Sequence, residues 1–413
     1  MTPSSPTLPK KLRMGPRPLP LHLMAAATTY GSSNAALPLL SSGLLSWSPA
    51  LASQGADLQK ALEKANPDTL RSAVEAEARR RLDVFLKGVE RYRHHPYRRD
   101  LPAPPTVWQD GNTRLYDFGV GGGVPLLLIP SLINRAYILD LSARHSFARW
   151  MAEQGVWPFL VDWDAPNATE RQFDLTAYIT RRLEPALDAV RDLSGAAPIV
   201  LGYCMGGVLA LALAQRRQES ISGLALLATP WDFHAGNAAQ ASAMAGVAAA
   251  MNGVMTVLGE LPVDVIQMLF ASLDPFLAER KFSAFAALGP DTDHAEDFVA
   301  LEDWLNDGVP LSAPVARECL IGWYGGNTTM RGQWRIAGAA VDPGAVDLPA
   351  LVVVPANDRI VPPQSAMPLG AALPRAEVMQ PTLGHIGMMV SRGVADALWP
   401  KILDWMLGHA PAD

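Results

Sequence analysis

A cysteine between glycines, an aspartate after an apolar run and a histidine between glycines follow one another along this chain of 413 residues. The cysteine is Cys204, in Gly202-Tyr203-Cys204-Met205-Gly206; the aspartate is Asp358, in Pro355-Ala356-Asn357-Asp358-Arg359; the histidine is His385, in Leu383-Gly384-His385-Ile386-Gly387. These three residue types can carry covalent acyl chemistry. A thiol attacks a carbonyl, an imidazole moves its proton, and a carboxylate orients the imidazole.

The frame around Cys204 fits a nucleophile elbow, G-x-S-x-G with cysteine for serine. A strand-like run (197–203) precedes it and a helix-like run (208–215) follows. So sharp a turn strains the backbone at the nucleophile, and side chains two positions to either side would clash; glycine removes them. The N-terminus of the following helix favours a thiolate. It also offers the N–H of Met205 to an oxyanion. The competing reading is a buried structural cysteine, and it is the preferred one for Cys319, which has no such frame.

Asp358 stands just past the end of an apolar strand, where ligand-facing loops of open α/β sheets lie; the bland alternative is a turn-forming aspartate. Six histidines (His22, His94, His95, His145, His234 and His294) precede Asp358, the wrong order for a nucleophile-acid-histidine triad, and His409 is in the C-terminal tail. His385 remains.

To bring such residues together the chain needs a sheet. Apolar runs of strand length occur at 125–129, 156–162, 197–203, 223–228 and 350–355, with helix-like segments between them. Strands buried on both faces and alternating with helices predict an α/β architecture with a mostly parallel sheet. We expect residues 1–20 to be disordered, 21–104 to be a helical N-terminal region, 105–230 and 341–413 to form the α/β core, and 231–340 to be a helical cap insertion rich in Ala and Met. Gly119 to Gly123 precedes a strand instead of opening a helix, so it reads as a turn and not a phosphate loop.

Composition narrows the function. A net charge of −6 and a pI near 5.8 give no basic field for nucleic acid. Two cysteines make no disulfide framework, which favours a reducing, cytoplasmic setting. No uninterrupted apolar run reaches membrane-spanning length, and prolines break the basic N-terminal stretch before it forms a signal-peptide core. No metal motif is present, and no cofactor is expected.

With their flanks these residues resemble the polyhydroxyalkanoate synthases, most closely the short-chain synthases that work with a second subunit, within the α/β-hydrolase superfamily. The likeness covers roughly 105–405. It rests on Pro130-Ser131-Leu132-Ile133-Asn134-Arg135 and the residues to Leu141, on Phe147-Ala148-Arg149-Trp150 and the residues to Gly155, on the elbow, on the Asp358 and His385 segments, and on Glu302-Asp303-Trp304 through Trp323-Tyr324. The resemblance implies an α/β-hydrolase fold with cap and N-terminal extension. It also implies polymerisation of (R)-3-hydroxyacyl-CoA through a Cys204 thioester, coenzyme A being part of the substrate. His385 would take the Cys204 proton and activate the substrate hydroxyl, and Asp358 would fix the imidazole tautomer. The loop after the first core strand would give a second oxyanion donor, assigned to the N–H of Leu132. Implied partners are the polyester granule surface and a second synthase subunit or a homodimer. The chain departs from the family at Ser131, where a second proline is usual, and at Asp164, where glycine is usual.

Two other functions use the same residues. A hydrolase, either an esterase or an intracellular polyester depolymerase, would admit water to the acyl-enzyme. A non-catalytic granule-binding protein would keep the fold only, against which the complete triad argues.

Overall fold

The five apolar runs become strands because each buries Val, Ile, Leu or Ala on both faces, as a helix-covered parallel sheet demands. In the computed structural model, which describes residues 12–44, 46–119, 121–236 and 238–410, the main sheet has eight strands. They are β1 (Thr106–Asp110), β2 (Thr113–Asp117), β3 (Val124–Ile129), β4 (Val156–Asp162), β5 (Ile199–Tyr203), β6 (Gly223–Leu227), β7 (Ala350–Val353) and β8 (Ala376–Met379). Their spatial order is β1-β2-β4-β3-β5-β6-β7-β8. Six strands run parallel, while β1 and β2 form an antiparallel hairpin whose second strand pairs antiparallel with β4. The hairpin and β8 escaped the sequence reading. Their half-exposed, mixed residues lack the continuous apolar signature of the buried strands.

Strand order reverses direction across β3, with β4 on one side and β5 on the other. In open α/β sheets the crevice beyond the carboxyl ends at such a switch point is where ligands bind. The loop leaving β3 and the turn leaving β5 both emerge there. From that turn runs the helix Met205–Arg216, buried from Met205 through Ala214. Apolar residues all round its circumference suit a helix enclosed on every side.

The chain divides into two compact units, one formed by 1–98 with 270–306 and the other by 99–269 with 307–413. This corrects the expected domains, because 231–340 is not one cap. Residues 270–306 belong with the N-terminal helices. Phe282, Phe285, Ala295 and Val299 form a common core with Ala26, Phe85, Val89 and Tyr92. The helix Pro67–His94 approaches the helix Leu277–Ala286 so closely that a Cβ on Gly88 would lie 2.0 Å from the Phe282 carbonyl oxygen. Apolar spacing announces that a helix buries a face, and says nothing of the partner.

The start of the chain is also corrected. Residues 1–11 lie outside the described residues, but Arg13 is held by Asp303 (Nε to Oδ1, 2.6 Å) and donates to the His95 carbonyl (2.5 Å), and a helix begins at Leu19. In the second unit, the window Ala241–Leu258 is long and apolar enough to cross a membrane by length and composition, although it holds no uninterrupted apolar run of that length. Ser242, Gly246, Asn252, Gly253 and Thr256 interrupt its apolar run without adding charge. Ala241, Met244, Ala248 and Met255 are buried within the protein.

Candidate functional site

Cys204 sits between β5 and its helix with φ +57 and ψ −127, a conformation L-residues avoid. The surroundings enforce it. Its N–H donates to the Leu227 carbonyl on β6 (2.8 Å), and its carbonyl accepts from Gly207 N–H (2.9 Å). The two glycines of the frame are needed for close approach. A Cβ on Gly202 would lie 2.4 Å from the Gly207 Cα, and one on Gly206 would lie 2.0 Å from the Ile129 carbonyl oxygen and 2.7 Å from that of Pro130. Packing of Gly206 on the end of β3 brings the elbow beside the loop that carries Leu132.

Cys204 is partly exposed. Met205, at the first position of its helix, and Leu132 both have buried side chains. Among the described residues neither of their amide N–H groups has a hydrogen-bond acceptor. Free N–H donors beside a strained cysteine are groups that an oxyanion could bind.

Asp358 and His385 come from loops joined by their backbones. Ala356 N–H donates to the Pro381 carbonyl (2.9 Å) and Asn357 N–H to that of Leu383 (3.0 Å). The buried Asp358 carboxylate accepts Ile360 and Val361 N–H on Oδ1 (2.8 Å each), leaving Oδ2 for His385 Nδ1 at 2.6 Å. The turn Asp358-Arg359-Ile360-Val361 thus aims one oxygen at the ring. Cys204 is near enough to the imidazole to act on its charge. Burial by itself disfavours the imidazolium. Negative charge at Cys204, the hydrogen bonds to Asp358 and Cys204 and the Asp358 charge outweigh it and push the His385 pKa up to about 10.

The remaining thiol, Cys319, lies in the π-helical segment Glu318–Gly325, buried. Burial, with the Glu318 charge beside it, holds its pKa well above the ordinary thiol range. Among the described residues no group of three His, Cys, Asp or Glu side chains could hold a metal ion.

Sequence reasoning missed several neighbours. Tyr203, one residue before the nucleophile, tilts against the His385 ring (centroids 5.3 Å) and donates its hydroxyl to the His385 carbonyl (3.2 Å). Tyr324, partly buried, has its pKa raised by burial and by the charge at Cys204, and its carbonyl bonds His234 Nε2 (2.8 Å). Phe233 stacks on Trp323 and meets Tyr324 edge-on. Asp232 fixes this segment by accepting His234 N–H (2.9 Å), Ala235 N–H (3.1 Å) and Asn327 Nδ2 (2.8 Å). The one sequence signal for it was the aromatic pair Trp323-Tyr324.

The alpha/beta hydrolase fold family matches residues 125–391, a span that holds the elbow, the acid and the histidine. The chain belongs to that family. Poly(3-hydroxyalkanoate) polymerase subunit PhaC of Haloarcula marismortui is 30% identical over 287 residues, covering 68% of this chain and 60% of the relative. The protein of that name from Haloferax mediterranei is 30% identical over 288 residues (68% and 58%). That from Allochromatium vinosum is 25% identical over 287 residues (68% and 80%). The chain spans about three-fifths of the length of the first two, 60% and 58%. The resemblance read from the motifs therefore holds.

Proposed function

We propose that this chain polymerises (R)-3-hydroxyacyl-CoA into polyhydroxyalkanoate through a covalent thioester on Cys204, releasing CoA. One observation carries the reading: a strained, partly exposed cysteine acts electrostatically on an imidazole whose Nδ1 is 2.6 Å from a buried carboxylate. Relatives named as poly(3-hydroxyalkanoate) polymerase subunits support the substrate class.

In the first step the Cys204 sulfur attacks the thioester carbonyl, and the Met205 and Leu132 amides take the oxyanion. The carbon–sulfur bond to CoA breaks, and His385 gives its proton to the departing CoA thiolate. Acylated Cys204 no longer carries charge. The ring loses its largest stabilising contribution and its pKa falls. The now neutral imidazole takes the proton from the 3-hydroxyl of the next substrate. That oxygen attacks the Cys204 thioester, an ester forms, and the sulfur anion returns beside a reprotonated ring. Because CoA and Cys204 are both thiols, the first exchange is nearly balanced in energy. A cytoplasmic setting, the polymer surface and a second synthase subunit or second copy as partner belong to the same reading.

The test is incubation with 3-hydroxybutyryl-CoA, following free thiol and product together. Polymer is the expected result. Free hydroxy acid would assign a hydrolase, and absence of thiol release would assign a binding protein.

A further inference from the structure

Asp164 lies two residues past β4 with φ +53, a strained conformation that glycine would adopt freely. Its carboxylate binds Arg135 Nη1 through Oδ1 and Arg114 Nη1 through Oδ2 (3.2 Å), and Oδ1 also accepts the Ala165 N–H (2.7 Å). Arg135 turns its Nε toward Asp307 as well (3.7 Å).

Arg135 closes the loop that begins at Pro130 and carries Leu132. The start of the loop is fixed by Trp163 Nε1 donating to the Pro130 carbonyl (3.0 Å). Its middle is fixed by Val309 N–H donating to the Ile133 carbonyl (3.2 Å) and by an antiparallel bridge between Asn134 and Gly308. The far end is tied through Arg135 to Asp164. Both Trp163 and Asp164 thus hold the same loop from the end of β4, and at its start the loop packs against Gly206 of the elbow.

We propose that Arg135 and Asp164 are positioning residues for the second oxyanion donor: their ion pair sets the loop so that the Leu132 amide meets the charge that develops on the substrate carbonyl. The inference rests on the reading of Cys204 as nucleophile. Strain at Asp164 accompanies a fixed loop, as expected where backbone geometry serves a site.

The experiment compares two reactions of one sulfur. Turnover of 3-hydroxybutyryl-CoA develops an oxyanion, whereas alkylation of Cys204 by iodoacetamide does not. Asp164→Gly removes the carboxylate and relieves the strained φ, so the variant folds. It should lower kcat about 10- to 100-fold, leave KM within about twofold and leave the alkylation rate unchanged. Arg135→Ala should match it. Arg135→Lys should recover part of the loss, and Arg135→Ala combined with Asp164→Gly should be no worse than either alone. An unchanged kcat in Asp164→Gly, or kcat and alkylation falling together, overturns the proposal. Cys204→Ala separates the two levels. If it retains turnover, the nucleophile reading fails and this proposal with it. If it is inactive while Asp164→Gly is normal, only the positioning role fails.

Discussion

Cys204 and Cys319 carry the same side chain on two differently built segments of one unit. Cys204 caps the end of a parallel strand at φ +57, partly exposed, with a helix N-terminus behind it and close enough to His385 to act on its charge. Cys319 lies within the π-helical Glu318–Gly325, buried, with a carboxylate next to it in sequence. At the elbow the sulfur stands partly exposed, beside free N–H groups and a helix N-terminus. In the π-helical segment burial and Glu318 both oppose charge, so the thiol stays protonated and serves as a small apolar side chain. The two settings differ in what surrounds the sulfur, and glycines mark one of them in the sequence.

The strongest way to break the contrast is Cys204→Ala. Loss of a covalent nucleophile costs on the order of 10⁶ in kcat, so CoA release from 3-hydroxybutyryl-CoA should vanish while circular dichroism stays native. Turnover near that of the unmodified protein would remove Cys204 from the reaction. Cys204→Ser should keep the fold and lose most turnover, since a hydroxyl needs a stronger base to ionise. Asp358→Asn comes next. It keeps the shape but disturbs the imidazole tautomer, a change worth about 10⁴ in kcat in triads of this type. A loss below about tenfold would mean that the 2.6 Å bond orients nothing important.

The elbow's steric side is sharpened by Gly206→Ala. Its Cβ would meet the Ile129 carbonyl at 2.0 Å, backbone that cannot yield without moving β3 or the helix. We expect a stability loss of about 1–3 kcal/mol by urea denaturation, together with loss of turnover. Native stability with full activity would mean that the close approach is not needed.

The electrostatic side is read from pH. The His385 pKa is raised from 6.5 to about 10. Its contribution to stability is therefore fully present below about pH 6.5 and lost as pH rises through about 10. Cys204 is among the groups that raise the His385 pKa, so in Cys204→Ala the imidazole should titrate at lower pH by NMR and the loss of stability should begin earlier. An unaltered titration would show that the sulfur is not the ring's partner.

How much of this was legible in the residues follows one rule: local chemistry shows, and pairings between distant segments do not. Cys204, Asp358 and His385 could be singled out because glycines, strand ends and chain order are legible along the sequence, and the fold brings Asp358 to His385. The five buried strands were found because Val, Ile and Leu run uninterrupted. Nothing local in Phe282 or Phe285 says that they pack on Phe85 and Tyr92, so one cap was expected where the chain forms parts of two units. Tyr203 was read as the end of a strand, and only the fold brings its ring against His385. Asp164 was noticed as a departure, but its tie to Arg135 joins two loops that sequence leaves unconnected.

The smallest effect belongs to the other thiol, and it tests the comparison from its quiet side. Cys319 is 7% exposed, so Cys319→Ala removes a buried sulfur and leaves a small void, costing about 1 kcal/mol. Turnover should stay within about twofold. Cys319→Ser would fill the space but place a hydroxyl in an apolar setting, which costs more than the void unless a carbonyl of the π-helical segment accepts its proton. The serine variant should therefore melt at or below the alanine variant, the reverse of what volume alone predicts. If Cys319→Ala instead lost as much CoA release as Cys204→Ala, the chemistry could not be assigned to the elbow. If serine were the more stable of the two, the pocket around Cys319 would be polar, and the elevated thiol pKa would lose its cause.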